Sequence, residues 1–348
     1  MKMGTHDTDT RILVVAEIGN NHEGSVTAAE ELVGRAAEAG ADVVKFQTIV
    51  PERLVASSET QRREQLRRLC LTYDDFRRLA AVAMREGIAF LSTPFDLESV
   101  AFLDPLVSAF KIASGDHTCP PLLRAVAATG KPIMCSTGFG SLESIAAAKQ
   151  CIEAEWEVRG LRSEIAFLHC VASYPVSPEQ ANLRAIATLA AAFPSCTIGY
   201  SDHVTGVDAA VAAAAIGARI IEKHFTLDHH TSDFRDHQLS ADPEELRELV
   251  ARVRAVEEMR GTGEKILQPG EHAIARASQR SLAAARDLPE GHVITSSDLT
   301  VLRPACGIPA SAFDVVVGQR LTRRVGAGEV LMTEMVRDAV LFSSSVPR

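Results

Sequence analysis

No apolar run in the 348 residues approaches the roughly 20 that a bilayer-spanning helix needs, so no helical membrane anchor is expected and the chain reads as soluble. The opening MKMGTHDTDT is polar and lacks the apolar stretch of a secretory leader, which makes the cytoplasm the expected compartment. Cysteine is present seven times, an odd number, and never as C-x-x-C. That pattern argues against a disulfide framework and a thiolate zinc knuckle, leaving most of the cysteines to be read as small buried apolar residues. Basic residues are in deficit: 36 Lys and Arg face 45 Asp and Glu, for a net charge of −9 and a pI near 5.7. Nucleic acid and anionic membrane partners demand the opposite balance, so neither is expected. An anionic substrate must therefore be held by a local cationic pocket. Two motifs are also missing: no G-x-G-x-x-G follows the first apolar run, and there is no H-E-x-x-H helix.

What is there is an alternation. Short β-branched or apolar runs at residues 11–16, 42–46, 89–92, 109–113, 132–136, 165–169, 197–200 and 219–224 read as strands. Ala-rich segments at 25–39, 74–85, 97–103, 121–128, 142–158, 182–192, 207–216 and 243–260 read as the helices between and after them. Eight such units closing on themselves predict a (β/α)8 barrel over residues 11–260, with a doubly wound sheet as the alternative. The rhythm changes after Arg260. Residues 261–275 read as a linker, and 276–340, with Pro289-Glu-Gly291 and Arg303-Pro304 turns, as a small, mainly β domain. The charged connection at 49–72 is long for a barrel and reads as a functional loop.

In such a barrel the chemistry sits where the strands end. Those ends carry Glu17, Lys45, Gln47, Thr93, Lys111, Ser114, Asp116, Tyr174, Ser201, His203 and His224. Buried charges cost several kcal/mol each unless paired or used, so a purely structural barrel gains nothing by gathering them at one rim. Lys45 and Lys111 suit a small phosphorylated or carboxylated anion, with Thr93, Ser114 and Ser201 as hydroxyl donors. His203 and His224 come from adjacent strands and can share a divalent ion. His229, His230 and His237 follow in a polar loop, and sequence spacing does not rank these histidines against one another.

The segments Ala16-Glu-Ile-Gly-Asn-Asn-His-Glu-Gly-Ser25, Val44-Lys-Phe-Gln-Thr48, Ser92-Thr-Pro-Phe95, Lys111-Ile-Ala-Ser114, Tyr200-Ser-Asp-His203 and Glu222-Lys-His-Phe-Thr226 resemble, in order, the N-acetylneuraminate (sialic acid) synthase family. Arg280-Ser-Leu-Ala-Ala-Ala-Arg-Asp287 and Arg303-Pro-Ala-Cys-Gly-Ile308 resemble its antifreeze-like (SAF) domain. The resemblance implies condensation of phosphoenolpyruvate with an open-chain N-acyl hexosamine, such as N-acetylmannosamine, to a nonulosonic acid and phosphate. It implies Mn2+, with Mg2+ or Co2+ as substitutes, on His203 and His224. Glu17, Lys45 and Asp116 become the catalytic group, with Glu17 as acid/base. Thr93, Lys111, Ser114 and Ser201 grip phosphoenolpyruvate, Gln47, Tyr174 and Asp236 face the sugar, and Arg303 reaches in from the partner of a domain-swapped homodimer. Three departures, Ala172, Asp116 and Ser232-Asp-Phe-Arg-Asp236-His237, resemble the branch tied to spore-coat polysaccharide synthesis and leave the acceptor sugar open. A barrel enzyme condensing phosphoenolpyruvate with another aldose, or an aldolase using Lys111 or Lys223 as a Schiff base, is the alternative.

Overall fold

The computed structural model describes residues 1–232 and 234–337 and divides into two compact units, one running from Met1 to Thr262 and the other starting at Gly263. Asp233 and residues 338–340 of the expected C-terminal domain lie outside the described residues.

The first unit is built on β1 (Leu13–Gly19), β2 (Val43–Thr48), β3 (Ala89–Pro94), β4 (Phe110–Ile112), β5 (Ile133–Ser136), β6 (Ile165–Cys170), β7 (Thr197–Asp202) and β8 (Ile220–His224). The parallel ladder runs β3-β2-β1-β8-β7-β6-β5-β4, and its two ends, β3 and β4, lie against each other. The first and last strands pair, so the sheet curls into the expected eight-stranded barrel. Every residue of β1, Leu-Val-Val-Ala-Glu-Ile-Gly, is buried. Strands covered by helices outside and packed side chains inside have no solvent face, which is why these runs are apolar until their polar ends.

Helix boundaries follow local chemistry. Tyr73–Glu86 starts at a Thr72/Asp75 capping box and stops at Gly87, whose φ of 73° is open to glycine at little cost. In Pro243–Arg260, Leu246, Leu249, Val250, Val253 and Val256 recur at spacings of three and four and are buried against the barrel.

Three features depart from the sequence reading. The long 49–72 connection contains two helices, Pro51–Leu54 and Thr60–Leu69, tied together by Arg63 Nε and Nη2 donating to the Val55 carbonyl at 2.9 and 2.7 Å. The N-terminal residues form a hairpin, Lys2–Met3 against His6–Asp7, that buries Met1 and Met3. Its Lys2 N–H donates to Glu164 (2.9 Å) and its Thr8 carbonyl accepts from Arg219 Nε (2.6 Å), both just ahead of strands, so it caps the barrel end opposite the strand mouths. Third, only Cys135 and Cys170 are buried; Cys306 is exposed and four are half-buried. Most cysteines therefore fall short of full burial: Cys70, Cys119 and Cys196 sit at element junctions, and Cys119, Cys151 and Cys196 pack against the core while staying partly exposed. No helix among the described residues is long and apolar enough to cross a membrane.

In the second unit, β9 (Ser281–Ala284) pairs antiparallel with β10 (Leu299–Leu302) over a core including Leu282, Leu288, Ile294, Val316, Val325 and Leu331. Buried Asp298 accepts from His292 Nε2 and Arg286 Nε, both at 2.8 Å, and these bonds hold its carboxyl well below the usual range. Residues 272–278, at the end of the expected linker, are helical, and Arg303 is exposed.

Candidate active site

The strand mouths open into a cavity of about 860 Å3 walled by Glu17, Lys45, Gln47, Thr93, Lys111, Ser114, Tyr174, Ser201, His203, His224 and Asp236. All eleven are residues that the sequence pointed to. The register explains the gathering: Glu17 lies beside Lys45 on one side and His224 on the other, Gln47 beside Thr93, and Glu222 beside Ser201.

Lys45 Nζ sits 2.6 Å from Glu17 Oε2 and 3.7 Å from Glu222 Oε1, and donates to Thr93 at 3.4 Å. Lys111 Nζ donates to Ser136 Oγ at 2.7 Å and lies 3.5 Å from the same Glu222 oxygen, which also accepts from Ser201 Oγ at 3.0 Å. Two ammonium groups thus converge on one carboxylate. Burial pushes the Glu17 carboxyl up, and the Glu222 charge adds to that against the pull of Lys45. Glu222 is also buried, but Lys111 and Lys45 together outweigh burial and hold it below its ordinary value. Two carboxyls driven apart in this way suit one proton carrier and one fixed charge. Gln47 Nε2 donates to Glu17 at 3.0 Å, and Asn20 Nδ2 to Gln47 at 3.1 Å, which fixes the carboxyl.

The imidazoles of His203 and His224 lie with centroids 5.3 Å apart, and Tyr174 packs on the first at 4.2 Å. His203 Nδ1 donates to the Val171 carbonyl at 2.9 Å, which leaves the Nε2 lone pair to the cavity. His224 is driven well below its usual value by burial and then by His203 and the nearby lysines, and its buried Nδ1 has no hydrogen-bond partner among the described residues. At His203 burial is outweighed by Cys170 and the Val171 carbonyl, which hold its imidazole above the ordinary value, so its Nε2 joins the unpartnered Nδ1 of His224 as a fit for a divalent ion once His203 has lost its proton.

Asp116 is not among the cavity-lining residues. It follows a turn beyond β4, closed by its N–H on the Ala113 carbonyl (3.0 Å), with burial raising its carboxyl. Arg303 belongs to the other unit. Ala172 lines the wall, while Ser173 is exposed, donates to the Pro175 carbonyl at 3.2 Å and is not a lining residue. Lys223 is fully buried on Asp202 at 3.0 Å and is not a lining residue.

Sequence reasoning gave no role to Glu222, although strand parity puts it on the same face as His224. It also missed Arg62, Gln65, Leu66 and Leu69, one helical stripe of the 49–72 connection that faces the cavity, and Phe234 and Arg235. The Arg235 guanidinium lies 4.5 Å over the Tyr174 ring.

The fold and the site are those of a (β/α)8 barrel enzyme. The NeuB family model matches residues 32–265, and the SAF domain model residues 279–337. The chain is 37% identical to N,N'-diacetyllegionaminic acid synthase of Legionella pneumophila, over 93% of this chain and 94% of that one. It is 36% identical to human N-acetylneuraminate-9-phosphate synthase, over 93% and 92%. The crystal structure of a spore coat polysaccharide biosynthesis protein of Bacillus subtilis superposes with a TM-score of 0.64 at 31% identity, covering 94% of this chain and 95% of that one. The chain belongs to the NeuB family and is a synthase with a C-terminal SAF domain.

Proposed function

We infer that this synthase joins carbon 3 of phosphoenolpyruvate to the aldehyde carbon of an open-chain N-acyl hexosamine, N-acetylmannosamine or a related amino sugar. Water adds at carbon 2 and phosphate leaves by carbon–oxygen cleavage, giving a nonulosonic acid and phosphate. The observation that carries this reading is the pair Lys45 and Lys111 converging on Glu222 beside Glu17: a cationic slot for a trianion, with a proton carrier at its edge. The relatives named for legionaminic and neuraminate products support the amino-sugar acceptor.

Lys45, Lys111, Thr93, Ser114 and Ser201 would hold the carboxylate and phosphate of phosphoenolpyruvate by charge-assisted bonds. Glu17 would take the proton of the attacking water, with Lys45 beside it stabilising the carboxylate form. Gln47, Tyr174 and Asp236 would orient the acceptor's hydroxyls and N-acyl group. Mn2+, or Mg2+ or Co2+ in its place, would be held by His203 and His224 and when bound would polarise the aldehyde as a Lewis acid.

Phosphate release from phosphoenolpyruvate, measured across a panel of N-acyl hexosamines, tests the reading. Release is expected with at least one acceptor, lost on exhaustive chelation and restored by Mn2+. No release with any acceptor would remove the proposed reaction, and full activity after chelation would remove the metal.

A further inference from the structure

One turn, Asn20 to Gly24, leaves β1 and touches the segment that follows β8. Its backbone is unusual: Glu23 has a φ of 46°, a region that residues with a Cβ seldom enter, and the next residue, Gly24, has a φ of 79°. A Cβ at Gly24 would lie 2.3 Å from the Arg68 carbonyl oxygen, so only glycine lets the turn pass the Thr60–Leu69 helix. Non-glycine residues held in this way point to a function for the side chain.

The Glu23 side chain uses the conformation. Its Oε1 accepts from His237 Nε2 at 3.0 Å and from Ser232 Oγ at 2.6 Å. A carboxylate only accepts, so His237 carries its proton on Nε2, while its Nδ1 is held 2.6 Å from Thr226 Oγ1. His237 is buried, 1% exposed. From the same turn, Asn21 Nδ2 donates to the Phe225 carbonyl (2.8 Å) and to Ser240 Oγ (2.9 Å), and Ser240 Oγ donates to the Asp236 carbonyl at 2.6 Å. The segment carrying Arg235 and Asp236 is thus held on both sides by one turn, at Ser232 before them and at His237 and Ser240 after, and Arg235 rests on Tyr174. The turn reaches the lysines only through Asn20, by way of Gln47 and Glu17; the bonds of Glu23 and Asn21 touch none of the partners of Lys45 or Lys111, which are Glu17, Thr93, Ser136, Glu222 and the Ile112 carbonyl.

We propose that Glu23 is a positioning residue for the acceptor sugar: by latching His237 and Ser232 it fixes Asp236 and Arg235 at the cavity wall, and it does so without touching the phosphoenolpyruvate slot. This rests on the function inferred above, since it assigns Asp236 to the acceptor.

The test compares Glu23→Ala and Glu23→Gln in the full chain. For Glu23→Ala the acceptor KM is expected to rise about 10-fold or more, the loss of charge-assisted bonds, while the phosphoenolpyruvate KM stays within about twofold. Glu23→Gln, whose amide oxygen still accepts one bond, should fall between Ala and wild type. Hydrogen exchange of peptides covering Thr226 and Phe234 to Leu239 should quicken in Glu23→Ala and not elsewhere. Unchanged KM values, or both rising in parallel with a lowered Tm, would overturn the proposal, as would unchanged exchange after β8. A wild type that releases no phosphate with any amino sugar strikes the functional reading instead, and the exchange result then decides the latch by itself.

Discussion

Replacing Lys111 by Met removes one of the two ammonium groups while keeping the packed aliphatic stem. In the free enzyme the barrel mouth holds Lys45 and Lys111 against Glu222, and Lys45 against Glu17 as well. Removing Lys111 leaves Glu222 with Lys45 at 3.7 Å and Ser201 at 3.0 Å, and its charge stays paired. The free protein should therefore lose little stability, whereas the bound phosphoenolpyruvate loses a desolvated charge-assisted bond of about 1.5–3 kcal/mol, or roughly 10–150-fold in affinity. Initial rates of phosphate release at saturating acceptor should show the phosphoenolpyruvate KM rising by that factor and the acceptor KM scarcely moving. If Lys111 instead serves only to neutralise Glu222, breaking the buried pair costs about 3–5 kcal/mol and lowers Tm on the order of 10 °C with the KM unchanged. That second pattern would refute the slot.

His22 supplies a pH dependence: burial pushes its imidazole down to about 4, with Gly24 N–H donating to Nδ1 at 3.1 Å in the neutral form. A histidine depressed below its unfolded value of about 6.5 lets the unfolded chain bind protons first. Stability is then complete above pH 6.5 and falls by about 3 kcal/mol as the pH drops towards 4. Denaturant titrations of His22→Gln should lack that slope, and identical slopes in both proteins would rule His22 out as its source. For Arg303, a mixed dimer of Arg303→Ala and His203→Ala chains should regain one intact site if the SAF domain acts on its partner's barrel. No recovery despite verified subunit exchange would place Arg303 in its own chain's site or outside the chemistry.

Most of the barrel rim was legible because each strand is a short message with one rule: apolar while it is sandwiched between interior and helices, polar once it emerges. The same rule, applied with its period of two, separates Glu222 and His224, which face the cavity, from Lys223 between them, which pairs with Asp202 away from it. Glu222 therefore went unassigned through an omission of parity, not for want of signal. Asp116 shows where the rule stops. β4 ends at Ile112 and a turn intervenes, so distance along the chain no longer tells which way a side chain faces.

Residues that arrive from outside the strands leave a weaker trace. Arg62, Gln65, Leu66 and Leu69 follow helical spacing, but the charged 49–72 connection hides a stripe whose apolar part is only two leucines. The pairing of Glu23 with His237 spans 214 positions, and neither residue alone differs from an ordinary surface glutamate or loop histidine. Only a fold that brings β8 beside β1 joins them. The sequence reading therefore favours groups carried on the barrel's own strands, such as the lysine slot and the two imidazoles. Of the groups carried on loops it reached Tyr174 and Asp236 and passed over Phe234, Arg235 and the stripe on Thr60–Leu69, whose place at the cavity is set by contact between loops.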